Sequence, residues 1–156
     1  MNPVLALRPL VCQKTLRFVT ERAPQFLDIT EAVAQAVEES GVREGIALVF
    51  SCHTTAAIRV NENEPLLLRD LEEFLKRLAP RDLYYGHNDF SVRTHNMTPD
   101  ECPNAHAHCQ HLLLGASETI PVAEGRLFLG RWQRIFLVEL DRPREREVLV
   151  RVIGHG

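Results

Sequence analysis

A chain of 156 residues, 45% hydrophobic and 25% charged, has the size and make-up of one globular domain with a sizeable core. Its net charge of -3 argues against a nucleic-acid surface, which needs a basic stripe. No apolar run approaches the ~20 residues of a membrane helix, and Met1 to Pro9 lack the apolar stretch of a signal peptide. A single domain over 1–156 is therefore expected, cytoplasmic and without membrane or nucleic-acid partners.

Residues 11–19 are rich in β-branched and aromatic positions and predict a strand. After Pro24 a short extended piece leads to Thr30, a good N-cap, and Ile29, Val33, Ala36 and Val37 recur at helical spacing up to Gly41. The apolar run Ile46 to Phe50 predicts a strand covered on both faces. From Thr54 to Val60 the pattern alternates, with Ala56, Ile58 and Val60 on one face. A second helix is predicted over 64–79 by the stripe Leu67, Leu71, Phe74, Leu75 and Leu78, with Pro65 at its start and Pro80 past its end. Asn63 or Glu64 would cap it.

The polar stretch 84–102 predicts a long loop or a short strand with loops. A short third helix follows over 103–114, closed by Gly115. Strands are then predicted at 117–122, 126–129, 133–140 and 147–153, with turns at Glu124-Gly125 and at Asp141 to Arg144. The last two strands read as an antiparallel hairpin across that charged turn. Strands outnumber helices and do not alternate strictly with them, which defines an α+β class with mostly antiparallel sheet.

The chemistry-bearing residues concentrate between Cys52 and His111. Five of the seven histidines (His53, His87, His106, His108 and His111) fall in this window, and imidazole is both a common metal ligand and a group that titrates near neutral pH. On a helix, His108 and His111 share a face with Asn104, while His106 points elsewhere. Asn61 to Glu64 place four polar side chains before the second helix, more than a cap needs. Asp70 projects on the flank of that helix's apolar stripe, so a partly buried carboxylate is expected there. It would orient a histidine, hold a metal or pair with Arg59.

Cys102, His106 and Cys109 offer a rival zinc site, although no Cys-x-x-Cys pair occurs and the four cysteines default to free thiols. Gly125 to Gln133 predicts a tight bend followed by a large anchor, Trp132, in the core or a subunit contact. No phosphate-binding glycine loop or dinucleotide fingerprint is present, so no nucleotide cofactor is expected.

Taken in order, Cys52-His53-Thr54-Thr55-Ala56-Ala57-Ile58, Asn61-Glu62-Asn63, Asp70, His87, Asn104-Ala105-His106-Ala107-His108, Leu114-Gly115-Ala116-Ser117, Pro121-Val122 and Gly125 through Gln133 resemble the YjbQ-like family of small proteins. The resemblance covers about residues 12–153. It implies a β-sandwich-like domain with two to three helices that forms a homotrimer by packing sheets around a threefold axis. It also implies a secondary thiamine-phosphate synthase activity, and metal with some members. On that basis His53, Thr54, Glu62, Asp70, His87, Asn104 and His108 would gather in one cleft, with a subunit boundary as one place for it.

Asp70, Glu62, His53 and Asn104 are then the candidate catalytic residues, and His53, His87 and His108 the candidate ligands of a divalent metal, zinc or magnesium. The family usually has Asp at His106, Leu at Cys109 and Thr at Arg131, so no function is carried onto His106 or His111.

Joining a pyrimidine pyrophosphate to a thiazole phosphate needs positive charge at the departing pyrophosphate. The residues singled out are His, Asn and carboxylate rather than Lys or Arg, a weak cradle without metal. Two other readings compete: a metal-dependent hydrolase or lyase acting on a small phosphorylated metabolite, and a non-catalytic trimer that binds a small ligand or metal.

Overall fold

A computed structural model describes residues 8–156. The reading of Met1 to Pro9 as lacking a leader falls almost wholly outside them. The described residues form eight strands and three helices in the order β1 (Leu10–Val19), β2 (Gln25–Asp28), α1 (Thr30–Ser40), β3 (Glu44–Ser51), β4 (Ala56–Glu62), α2 (Pro65–Leu78), α3 (Ala105–Leu114), β5 (Ser117–Ala123), β6 (Arg126–Leu127), β7 (Gln133–Glu139) and β8 (Glu145–His155). A single 3-10 turn, Gly86–Asn88, interrupts the connection between α2 and α3.

The strands make two antiparallel sheets, ordered β1-β8-β3-β5-β6 and β2-β7-β4. They meet face to face. Val148, Val150 and Val152 of β8 and Ala47 and Val49 of β3 pack against Ile58 of β4 and Ile135 and Leu137 of β7, with Val33, Ala36 and Val37 of α1 closing the same core. The far side of the three-stranded sheet carries a second cluster of Ala57, Phe136, Val138, Leu75 of α2 and Ala107 of α3. The class is α+β with three helices and mostly antiparallel sheet, as predicted.

The expected hairpin at the C-terminus does not form: β7 and β8 lie in different sheets. Ile135 to Glu139 are buried at every position, because β7 is covered by the five-stranded sheet on one face and by helices on the other. Strand β8 alternates instead, since only one of its faces meets the core. Residues 140–144 therefore cross from one layer to the other. The Glu124-Gly125 turn does form, with both residues at positive φ, as a tight hairpin between β5 and β6 requires.

Gly45 and Gly154 face one another where β3 pairs with β8. A Cβ on either would run into the partner strand's backbone.

Helix α2 starts as read: the Glu64 carboxylate accepts from the backbone N–H of Leu66 (3.0 Å) and Leu67 (2.7 Å), and Pro65 opens the helix. Thr30 is not the cap of α1 but its first residue. Asp28 accepts from the Thr30 N–H at 3.0 Å, and the Thr30 hydroxyl accepts from the N–H of Ile135 at 2.8 Å. Among the described residues no helix is long and apolar enough to cross a membrane.

Candidate functional site

The loop from Cys52 to Thr55 leaves β3 at the end of the five-stranded sheet and returns as β4 in the other sheet. Ser51 pins its base, donating its hydroxyl to the carbonyl of Ala56 at 2.6 Å. At the first loop residue the N–H of Cys52 still donates to the carbonyl of Glu147 in β8 (3.2 Å). One residue on, the side chain of His53 takes over the pairing: the N–H of Glu147 donates to its Nε2 at 2.8 Å. The ring stands where the next strand carbonyl would be.

His87 reaches the same place by a different route. It lies in the turn Gly86–Asn88, and the Asn88 side chain accepts from the backbone N–H of Ala105 at 3.0 Å, at the first turn of α3. That bond ties the turn to the helix. His87 and His108 consequently meet edge to face, with ring centroids 4.9 Å apart. Asn104 precedes α3 and is buried, with its Nδ2 donating to Asp141 at 3.5 Å and its Oδ1 without a partner among the described residues.

His53, His87, Asn104 and His108 line one cavity of about 480 Å³. Its other wall is basic: Arg93, Arg142, Arg144 and Arg146. Arg146 is almost wholly buried and bound by Glu139 (2.6 Å from Nε) and by the Thr55 hydroxyl at 3.0 Å. Arg144 and Arg142 share the buried Asp141, at 3.1 and 3.7 Å, and Arg142 also touches Cys102. Arg93 reaches Glu101 at 3.3 Å. The guanidinium groups of Arg142 and Arg144 remain partly exposed to the cavity, with donors to spare.

The charge states follow from these surroundings. Burial lowers the pKa of His53, and the nearby Arg146 and Arg144 lower it further. Burial likewise lowers His108, reinforced by His87. For Glu139 burial acts upward but is outweighed by Arg146, the Asp141 N–H and the Thr20 hydroxyl, so its carboxyl titrates below the ordinary range. Both histidine shifts favour the uncharged imidazoles of His53 and His108, which share the cavity with the arginine guanidinium groups.

Not all the predicted residues come together. Glu62 and Asp70 are exposed and do not line the cavity of the single chain. Asp70 was expected to be partly buried, with pairing to Arg59 as one of its three possible roles, yet it is exposed and Arg59 binds Glu118 at 2.6 Å. The reason lies in α2, where only Leu75 is buried. A stripe so thinly covered leaves its flank in solvent.

The rival cysteine site does not assemble either. Cys109 is exposed, Cys102 sits by Asp141 and Arg142, and His106 lines a separate pocket of about 220 Å³ with Arg81 and Gln110. Among the described residues no group of three or more His, Cys, Asp or Glu side chains is arranged to hold a metal. Trp132 is not a core anchor: it is exposed, with Arg131 stacked 4.6 Å from its ring centre.

Sequence reasoning missed the arginine wall. Asp141 to Arg144 was read only as a charged turn, and Arg146 fell between that turn and the strand predicted from 147. The available signal was the spacing of Arg142, Arg144 and Arg146 around a turn that must leave one sheet and enter the other.

An α+β sandwich with a histidine-arginine cleft at the end of its larger sheet is the class of protein these features define. Residues 14–155 match the family model described as UPF0047 protein YjbQ-like, and the chain belongs to that family. A UPF0047 protein of Methanothermobacter thermautotrophicus is 44% identical over 135 residues, 86% of this chain and 87% of that protein. The UPF0047 protein YugU of Bacillus subtilis is 32% identical, over 90% and 98% of the two chains. The crystal structure of a YbjQ-like protein of unknown function from Sulfolobus solfataricus superposes with a TM-score of 0.85 at 39% identity, covering 95% of this chain and all of that one.

Proposed function

We propose that this chain is a metal-assisted enzyme that acts on a small phosphorylated substrate in the cleft between the histidine and arginine walls. The observation that carries this reading is the shared cavity, in which neutral imidazoles face Arg142 and Arg144 across about 480 Å³. That volume suits a small metabolite. Guanidinium N–H groups match phosphate oxygens in number and geometry.

His87 and His108 offer two imidazoles to a divalent cation, whose remaining ligands substrate and water would supply. Among the described residues the ring nitrogens of His87 and His108 accept or donate no hydrogen bond, and both rings line the cavity. Two adjacent imidazoles favour zinc over magnesium, which prefers oxygen ligands. When bound, such a cation supplies Lewis-acid polarisation of a phosphoryl oxygen. The chain's own groups would hold the anion through Arg142 and Arg144, and the buried surroundings of His53 favour its uncharged form.

Secondary thiamine-phosphate synthase activity is one reaction of this kind, and the arginine wall supplies the positive charge that a departing pyrophosphate needs. Hydrolysis or lysis of a phosphorylated metabolite is the alternative the same groups serve. The assay is direct: purified protein is supplied with zinc, a pyrimidine pyrophosphate and a thiazole phosphate. Thiamine phosphate formed at a rate that falls at least ~100-fold in His108→Ala supports the transferase reading. Formation no faster than in buffer removes it, and failure of inorganic phosphate to bind removes the anion reading altogether.

We also propose self-association as a homotrimer in the cytoplasm. Across the outer face of the five-stranded sheet runs the row Val11, Ile153, Ile46, Pro121 and Phe128, one from each strand or its extension. Phe50 and Leu149 pair beside it. A continuous apolar sheet face of this kind marks a subunit contact. Light scattering tests it, with Ile46→Asp expected to yield monomers.

A further inference from the structure

His53 was grouped with His87 and His108 as a metal ligand, but its hydrogen bond assigns it a different task. The backbone N–H of Glu147 donates to its Nε2 at 2.8 Å. An amide N–H is only ever a donor, so Nε2 must offer its lone pair. A neutral imidazole carries one ring proton, which is then on Nδ1. Neither nitrogen has a lone pair left for a metal.

The arrangement is fixed from two sides. Glu147 sits in β8, in register with Arg17 of β1 and one residue beyond the last β3 pair, Ser51 with Val148, so its amide is held in place by the strand. Its carbonyl is already taken by Cys52. To ligate a metal through Nε2, His53 would have to leave the Glu147 N–H buried and unpaired, which folded proteins avoid. Its Nδ1 has no protein partner among the described residues, and the residue lines the cavity alongside Arg144 and Arg146.

We propose that His53 is an anion-binding donor, presenting Nδ1–H to an oxyanion of the substrate, and that His87 and His108 alone among the histidines bind the metal. The proposal rests on reading the cleft as a phosphate-binding site. It makes His53 part of the same donor surface as Arg142 and Arg144. It also specifies the ligand class further: the substrate must bring an unprotonated oxygen, phosphate or carboxylate, to the strand-end loop.

Long-range ¹H–¹⁵N spectra of the ¹⁵N-histidine-labelled protein distinguish the tautomers directly. The expected result is a His53 ring with Nδ1 protonated and Nε2 bare, the Nδ1–H proton moving downfield as inorganic phosphate is added. A His53 ring protonated on Nε2, or an Nδ1–H unmoved by saturating phosphate, overturns the proposal. Zinc titration by calorimetry adds a second readout. His53→Asn, which keeps a donor near the Nδ1 position, should change zinc affinity by about tenfold or less, whereas His87→Ala or His108→Ala should lower it by ~100-fold or more. Loss of zinc binding in His53→Asn with its spectrum otherwise native overturns the assignment. A wild-type chain that binds no zinc yet shows the Nδ1–H tautomer and the phosphate shift upholds the donor role of His53 and refutes the metal reading of the cleft instead.

Discussion

Arg146 and His108 border the same cavity, yet their surroundings differ in kind. Arg146 is enclosed by Glu139 and Thr55 beneath the cleft floor, and every nearby acceptor is turned toward it. His108 packs only edge-on against His87 and leaves its ring nitrogens open to the cavity. Arg146 is thus a built foundation, while His108 keeps its polar atoms free for something that arrives. Groups that hold a fold together consume their hydrogen bonds internally; groups that act on a ligand cannot.

The contrast breaks most visibly at the buried pair. Arg146→Met leaves Glu139 charged and unpaired in the core and should cost about 3–5 kcal/mol, read from urea denaturation. A cost under about 1 kcal/mol would mean that the pair is not structural, and the distinction between the walls would fall. Smaller is the effect expected on the other side. His108→Ala should reduce zinc affinity ~100-fold while altering folding stability by about 1 kcal/mol or less, measured by calorimetry and denaturation on one preparation.

Acid should separate the walls as well. His53, His106, His108 and His111 all have pKa values below the ordinary 6.5, chiefly because burial disfavours their charged forms. The unfolded chain therefore binds protons that the folded chain does not. Their contribution to stability is complete above about pH 6.5 and is lost as the pH falls through 6.5 toward the lowered values. Glu139 has the same sign further down, since its depressed carboxyl protonates only at more acid pH. The melting temperature should fall in two stages on acidification; a rise between pH 7 and 5.5 would contradict the histidine environments.

Smallest of all is the change expected for Asp70→Asn, within about 0.5 kcal/mol, because the carboxylate is exposed. Should it nonetheless abolish activity without touching stability, the cleft is completed by a second copy.

Much of the fold was legible in the sequence because its cues are local. The caps and breaks around α2, the Glu124-Gly125 turn and the alternation of β4 depend on residues within a few positions of one another. The site was half legible. His53, His87, Asn104 and His108 stood out as polar residues that no local role absorbs, and they do share a cavity. Asp70 misled because a helical wheel shows where the apolar stripe lies, not how much of it is covered. The arginine wall was invisible because it depends on a chain crossing between sheets that the charged turn at 141–144 disguised as a hairpin.

The sequence by itself determined the class, the elements and the histidine side of the cleft, since periodicity, capping and residue chemistry are properties of short segments. Only the tertiary structure decided which sheet each strand joins, that Arg142, Arg144 and Arg146 face the histidines, and that the Glu147 amide occupies one nitrogen of His53. Those outcomes depend on pairings between β3, β7 and β8, far apart in the chain, and on how each buried polar group finds a partner when the layers close.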